Sequence, residues 1–111
     1  VGGVEVAERS LVDVLRAAKE RISDPERWTQ GTAACGSDRR PCEYEEAARF
    51  CALGSLDFEC IPLYQDTYPL LYGAAQELFG QGVSAVNDRL GHTATLAVFD
   101  RAIELAEAEQ T

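Results

Sequence analysis

At 111 residues, 46% hydrophobic and 26% charged, the chain has the size and composition of one soluble domain around a single core. Nineteen acidic residues against ten basic ones give a formal net charge of −9, which repels phosphate backbones and leaves no basic stripe for nucleic acid. No apolar run approaches the ~20 residues needed to span a bilayer, so neither nucleic acid nor a membrane is an expected partner.

The chain opens Val1-Gly2-Gly3 and contains no Met, so its natural start is expected to lie elsewhere, and no charged-then-apolar leader is visible. Residues 4–22 read as a first helix, with Leu11, Leu15, Ala18 and Ile22 at helical spacing and Asp24-Pro25 as its stop. Pro25 opens a short turn that carries Trp28. Residues 29–41 are small, polar and turn-forming and read as a loop. Thr32-Ala33-Ala34-Cys35 resembles a strand but has no evident partner and is discounted. Within this loop Arg39-Arg40 read as solvated charges.

A second helix is expected over residues 43–56, with Glu43, Glu45 and Glu46 in its first turn and Cys51 in its middle. Gly54 is a poor helix former, and its use there would be to admit another backbone closely. Ile61-Pro62 ends that element. A third helix is expected over residues 68–79, capped by Asp66 or Thr67, with Pro69 in its first turn and Leu70, Leu71, Ala74, Ala75, Leu78 and Phe79 as its apolar positions. Ser84 caps a short helix that ends near Gly91. Thr93 opens the last helix, whose core face is Leu96, Phe99, Ala102, Ile103 and Ala106. The fold class that follows is all-α: one domain over residues 1–111, core at 5–107, built as a compact bundle of four main helices plus one or two short ones.

Four cysteines, Cys35, Cys42, Cys51 and Cys60, are spaced too widely for a zinc site. They read as reduced, mostly buried thiols in preference to a Cys35–Cys42 bridge, and a cytoplasmic setting follows. No metal or cofactor is expected. Cys51, the single histidine His92, and Asp88 or Asn87 are the residue types of a thiol nucleophile with its base and orienting group, so Cys51, His92 and Asp88 are the catalytic candidates. Against that stands the plainer reading of a packed thiol and a turn-forming Asn-Asp pair. A polar pocket lined by Trp28, Asn87, Asp88 and His92 is the ligand-binding alternative. Tyr68 and Tyr72, one helical turn apart beside Leu71, suit a contact with a second copy or another protein.

Trp28-Thr29-Gln30-Gly31, the run from Cys51 to Leu56, Asn87-Asp88 and the final helix together resemble an uncharacterised family of short bacterial and phage helical proteins. That family carries a Trp-x-x-Gly turn, a Cys-Ala-Leu-Gly-Ala-Leu helix and an Asn-Asp element. The resemblance spans residues 11–107 and departs at Ser55, where the family has Ala, and in the longer loop between Cys35 and Cys42. It implies a domain type and no activity, and it makes the Trp28, Cys51 and Asn87-Asp88 elements parts of one unit. The function is therefore unknown from sequence. The readings that compete are a small acidic binding module, possible as a homodimer, a small-ligand pocket, and a thiol-dependent enzyme.

Overall fold

Ser10 starts the first helix, α1 (Leu11–Ile22), with a reciprocal cap: its hydroxyl accepts the Asp13 amide at 3.0 Å while the Asp13 carboxylate accepts the Ser10 amide. The computed structural model describes residues 10–59 and 64–109. The expected opening of the first helix at residues 4–9, the Ile61-Pro62 stop, the Cys60 thiol and the Tyr64 side chain lie outside the described residues. α1 turns Leu15, Ala18 and Ile22 fully inward, as their spacing predicts, together with Val12 and Val14.

After a single turn of 3₁₀ helix at Pro25–Arg27, capped by the Asp24 carboxylate, the chain becomes extended. Here the fold departs from the sequence reading. β1 (Ala34–Cys35) pairs antiparallel with β2 (Arg49–Phe50), so the discounted strand has a partner, drawn from residues expected in the second helix. The Thr29 amide also donates to the Phe50 carbonyl at 3.0 Å. What holds residues 49 and 50 extended is tertiary. Phe50 is buried against Tyr44 and Phe58, with the Arg21 guanidinium 4.3 Å from the Phe58 ring centroid.

The second main helix therefore starts late, as α2 (Ala52–Glu59), and Cys51 stands immediately before it. Gly54 explains how α2 lies so close to the backbone just before β1: a Cβ at that position would come 2.0 Å from the Ala33 carbonyl oxygen. Ser55, the departure from the resembled motif, is fully buried and donates its hydroxyl to the Ala18 carbonyl at 2.6 Å, tying α2 to α1.

α3 (Tyr64–Phe79) begins earlier than expected and takes Pro69 within its length. Leu71, Ala74 and Ala75 are fully buried, whereas Leu78 and Phe79, the last of its apolar positions, are exposed at the helix end. A short α4 (Val83–Ala85) follows, with Gly82 rather than Ser84 in the capping position. Residues Val86–Leu90 widen into a π turn, closed by the Gly91 amide on the Val86 carbonyl at 3.2 Å. α5 (His92–Glu109) completes the chain.

α1 packs against α2 and α5, and α3 packs against α5. Their shared core is Leu15, Ile22, Leu56, Leu71, Val98 and Phe99 with small residues between. The class is all-α, with one two-residue ladder among the described residues. No helix among them is long and apolar enough to cross a membrane.

Candidate functional site

The π turn matters because it changes which way consecutive residues face. Asn87 is 1% exposed, while its neighbour Asp88 is exposed. Inside, the Asn87 amide makes every hydrogen bond it can. Its Oδ1 accepts from the Trp28 indole Nε1 at 2.8 Å and from the Ala52 amide at 2.9 Å. Its Nδ2 donates to the Thr29 carbonyl and to Asp88 Oδ1, both at 3.0 Å. Two lone pairs and two protons are thus all committed. The Trp28 turn, the start of α2 and the Asn87-Asp88 element are joined into one unit by this single side chain.

Asp88 extends the join. Its Oδ1 also accepts the Gly31 amide at 3.0 Å, and Gly31 holds a positive φ of 81° that favours glycine. Gln30 Nε2 donates to the Asn87 carbonyl at 3.0 Å and to the Asp88 carbonyl at 3.2 Å. The second Asp88 oxygen has no partner among the described residues. Asp88 borders a cavity of about 270 Å³ whose wall also includes Gly31, Thr32, Ala33, Cys51, Leu53 and Ser84.

Cys51 was expected in mid-helix; it caps the N-terminus of α2 instead, its sulfur accepting the Gly54 amide at 3.3 Å. That position ordinarily favours a thiolate. Burial outweighs it here and pushes the Cys51 thiol above its ordinary value of 9.0, the amides of Gly54 and Leu53 pulling in the opposite direction. Cys35, Cys42 and Cys51 are free thiols.

His92 is elsewhere. It opens α5, and its Nε2 lies 2.7 Å from the Ile22 carbonyl at the end of α1. Its ring sits 5.1 Å from Trp28, tilted by 55°. Both rings line a second cavity, of about 420 Å³, with Thr29, Gln30 and Arg39. The four residues expected to share a pocket are thus divided: Asn87 and Asp88 line the first cavity, Trp28 and His92 the second, and the turn at 29–33 contributes to both walls. Cys51 and His92 engage different partners and line different cavities. Among the described residues no three of His, Cys, Asp and Glu gather as metal ligands would.

Of the expected contact residues, Leu71 belongs to the core and is fully buried, not turned outward with Tyr72. Tyr72 is exposed and its ring lies 6.0 Å from that of Tyr68, which is partly buried. Ser84 is a site residue that sequence pattern does not single out, since a serine after two glycines reads as a cap.

Residues 7–105 match the model of a family described as a family of unknown function, DUF6197. The chain belongs to that family. No curated protein and no solved structure matches it. The matched span of this DUF6197 domain contains Trp28, Cys51, Asn87, Asp88, His92 and the walls of both cavities, so the site is part of the family's own domain.

Proposed function

We propose that this DUF6197 domain is a small-ligand-binding module whose pocket is the cavity bordered by Cys51, Ser84 and Asp88. Its volume of about 270 Å³ suits a metabolite-sized molecule. One observation carries the reading: Asn87 spends its whole hydrogen-bonding capacity fixing the walls, while Asp88 keeps one carboxylate oxygen uncommitted. A free carboxylate beside a hydroxyl and a thiol selects a ligand that offers hydrogen-bond donors, and an ammonium group before a neutral one. The raised Cys51 thiol, with the imidazole in the other cavity, favours binding over thiol catalysis. Three free thiols support a reducing setting such as the cytoplasm.

Thermal-shift screening with small amines, polyols and carboxylates tests the assignment. A ligand at a hundred times its Kd stabilises the folded state by about 2.7 kcal/mol, a shift easily read in a domain of this size. Amines should raise the melting temperature, and Asp88→Asn should abolish the rise. That variant keeps Oδ1 as acceptor for Gly31 and Asn87 and removes only the charge and the free acceptor. Stabilisation by carboxylates alone, or an unchanged response in Asp88→Asn, would count against the reading.

A second reading, a protein-contact face at Tyr68 and Tyr72, rests on the exposure of Tyr72 at 44%. With Leu71 turned inward, the apolar part of that face is small. Sedimentation equilibrium of the wild type and of Tyr72→Glu checks it: association that disappears in the variant supports a contact there, and a monomer in both opposes it.

A further inference from the structure

The cavity bordered by Trp28 and His92 has the opposite chemistry from the one beside Asp88. Arg39 is the only formally charged residue in its wall. Among the described residues Arg16, Lys19, Arg21, Arg49 and Arg101 have a carboxylate within ion-pair distance; Arg27, Arg39, Arg40 and Arg89 have none, and of these Arg39 is the one in this wall. Asp38, its neighbour in the chain, is engaged with the Arg40 amide at 3.0 Å. In a protein of net charge −9, an unpaired cation in its wall gives this cavity a charge opposite in sign to the surface as a whole.

The backbone places Arg39 with some insistence. Its φ of 67° is the left-handed region that a bulky side chain rarely adopts, and it is the one such non-glycine among the described residues. The turn is closed by the Arg39 amide on the Gly36 carbonyl at 2.9 Å and by the Gly36 amide on the Arg40 carbonyl at 3.0 Å. Strain of this kind persists where surrounding structure fixes a residue's direction.

Two rings, Trp28 and His92, share the wall with Pro25, Thr29 and Gln30. The Trp28 N–H is already committed to Asn87, so the indole offers its ring and not its donor. His92 Nε2 can meet the Ile22 carbonyl at 2.7 Å only as a donor, so this nitrogen is already committed to the end of α1. His92 is also the first residue of the 18-residue α5, whose N-terminal end carries partial positive charge. We propose that this second cavity binds a small planar carboxylate, its carboxylate held by Arg39 and its flat body lying in the corner between Trp28 and His92. An inorganic anion would use the guanidinium and leave both rings uncovered; a planar carboxylate satisfies the fork and covers the rings.

The single tryptophan stands in the wall of this cavity, so its fluorescence reports on occupancy directly. The probes are benzoate, its neutral counterpart benzamide, and inorganic phosphate, each titrated into the full chain. Arg39→Gln is the test variant, because it removes the charge from an exposed side chain and keeps a polar one of similar reach. Benzoate should give a saturable change, about tenfold weaker in Arg39→Gln, the loss expected for one charge-assisted contact. Benzamide on the wild type should be weakened to a similar extent. Asp88→Asn, which alters the other cavity, should leave benzoate binding unchanged. Equal affinity for benzoate and benzamide, an Arg39→Gln protein that binds as the wild type does, a phosphate response in place of a benzoate one, or loss of benzoate binding in Asp88→Asn would each overturn the assignment. So would the lack of any saturable change with benzoate.

Discussion

Replacing Asn87 by alanine would remove four hydrogen bonds at a position that is 1% exposed. Two donors, the Trp28 indole and the Ala52 amide, would lose their acceptor, and the Thr29 carbonyl would lose a donor. A buried polar group left unsatisfied costs about 1–3 kcal/mol, so Asn87→Ala should destabilise by about 4 kcal/mol or more, among the largest effects single substitutions produce. Denaturant unfolding followed by Trp28 fluorescence measures it, and a loss below about 1 kcal/mol would show that Asn87 is not the keystone. Cys51 permits a pH prediction at the same scale. Burial raises its thiol above 9.0, so the thiolate that reacts with iodoacetamide should form only at more alkaline pH than in a free cysteine. The sign for stability follows: a thiol raised on folding favours the folded state fully below its unfolded pKa, and that contribution is lost as pH rises through the folded one. Site-resolved mass spectrometry of alkylation against pH checks this, and rapid labelling of Cys51 at neutral pH would refute it.

At the scale of elements, Gly54 sets two effects against each other. Helix propensity alone makes Gly54→Ala stabilising by about 1 kcal/mol. The packing of α2 on the backbone at Ala33 says the reverse, since the new Cβ would lie 2.0 Å from the Ala33 carbonyl oxygen, a backbone atom that cannot move aside cheaply. The steric term should win, for a net loss of about 3 kcal/mol, measurable by thermal or denaturant unfolding. A stabilised variant would mean that the close approach is absent. The approach itself was legible in the sequence, because a glycine among apolar residues has few other uses. The start of that helix was not. Residues 43–51 carry acidic residues and apolar spacing that suit a helix, and nothing local opposes one. What opposes it comes from afar: Phe50 is drawn into the ring cluster with Phe58 and Arg21, and the Ala52 amide is captured by Asn87, 35 residues away. The candidate site divides in the same way. The Trp28, Cys51 and Asn87-Asp88 segments read as one unit from their motifs. Which side chains are saturated and which remain free depends on bonds between positions 57 to 59 residues apart, and no local pattern encodes those.

For the molecule as a whole, the net charge of −9 and the ion pairs between helices pull stability in opposite directions as salt is added. Arg16 with Glu107 and Lys19 with Asp100 join α1 to α5, and Arg101 with Glu77 joins α5 to α3. These pairs are at least partly exposed, and each contributes roughly 0–1 kcal/mol that salt weakens. Self-repulsion among the excess carboxylates is spread over the whole surface and acts at longer range. The screening length falls from about 30 Å at 0.01 M to about 8 Å at 0.15 M, so this repulsion is largely removed over that interval while contacts at 2.5–2.7 Å are screened much less. The balance favours stabilisation: the melting temperature should rise by a few degrees between those concentrations, corresponding to about 1 kcal/mol. Neutralising Lys19 as Lys19→Gln should lower stability at both salt concentrations and leave the upward slope in place, because the slope belongs to the net charge and not to that pair. Calorimetry across the salt series decides it. A melting temperature that falls with salt would mean that the inter-helix pairs, rather than overall repulsion, govern how this bundle answers its ionic surroundings.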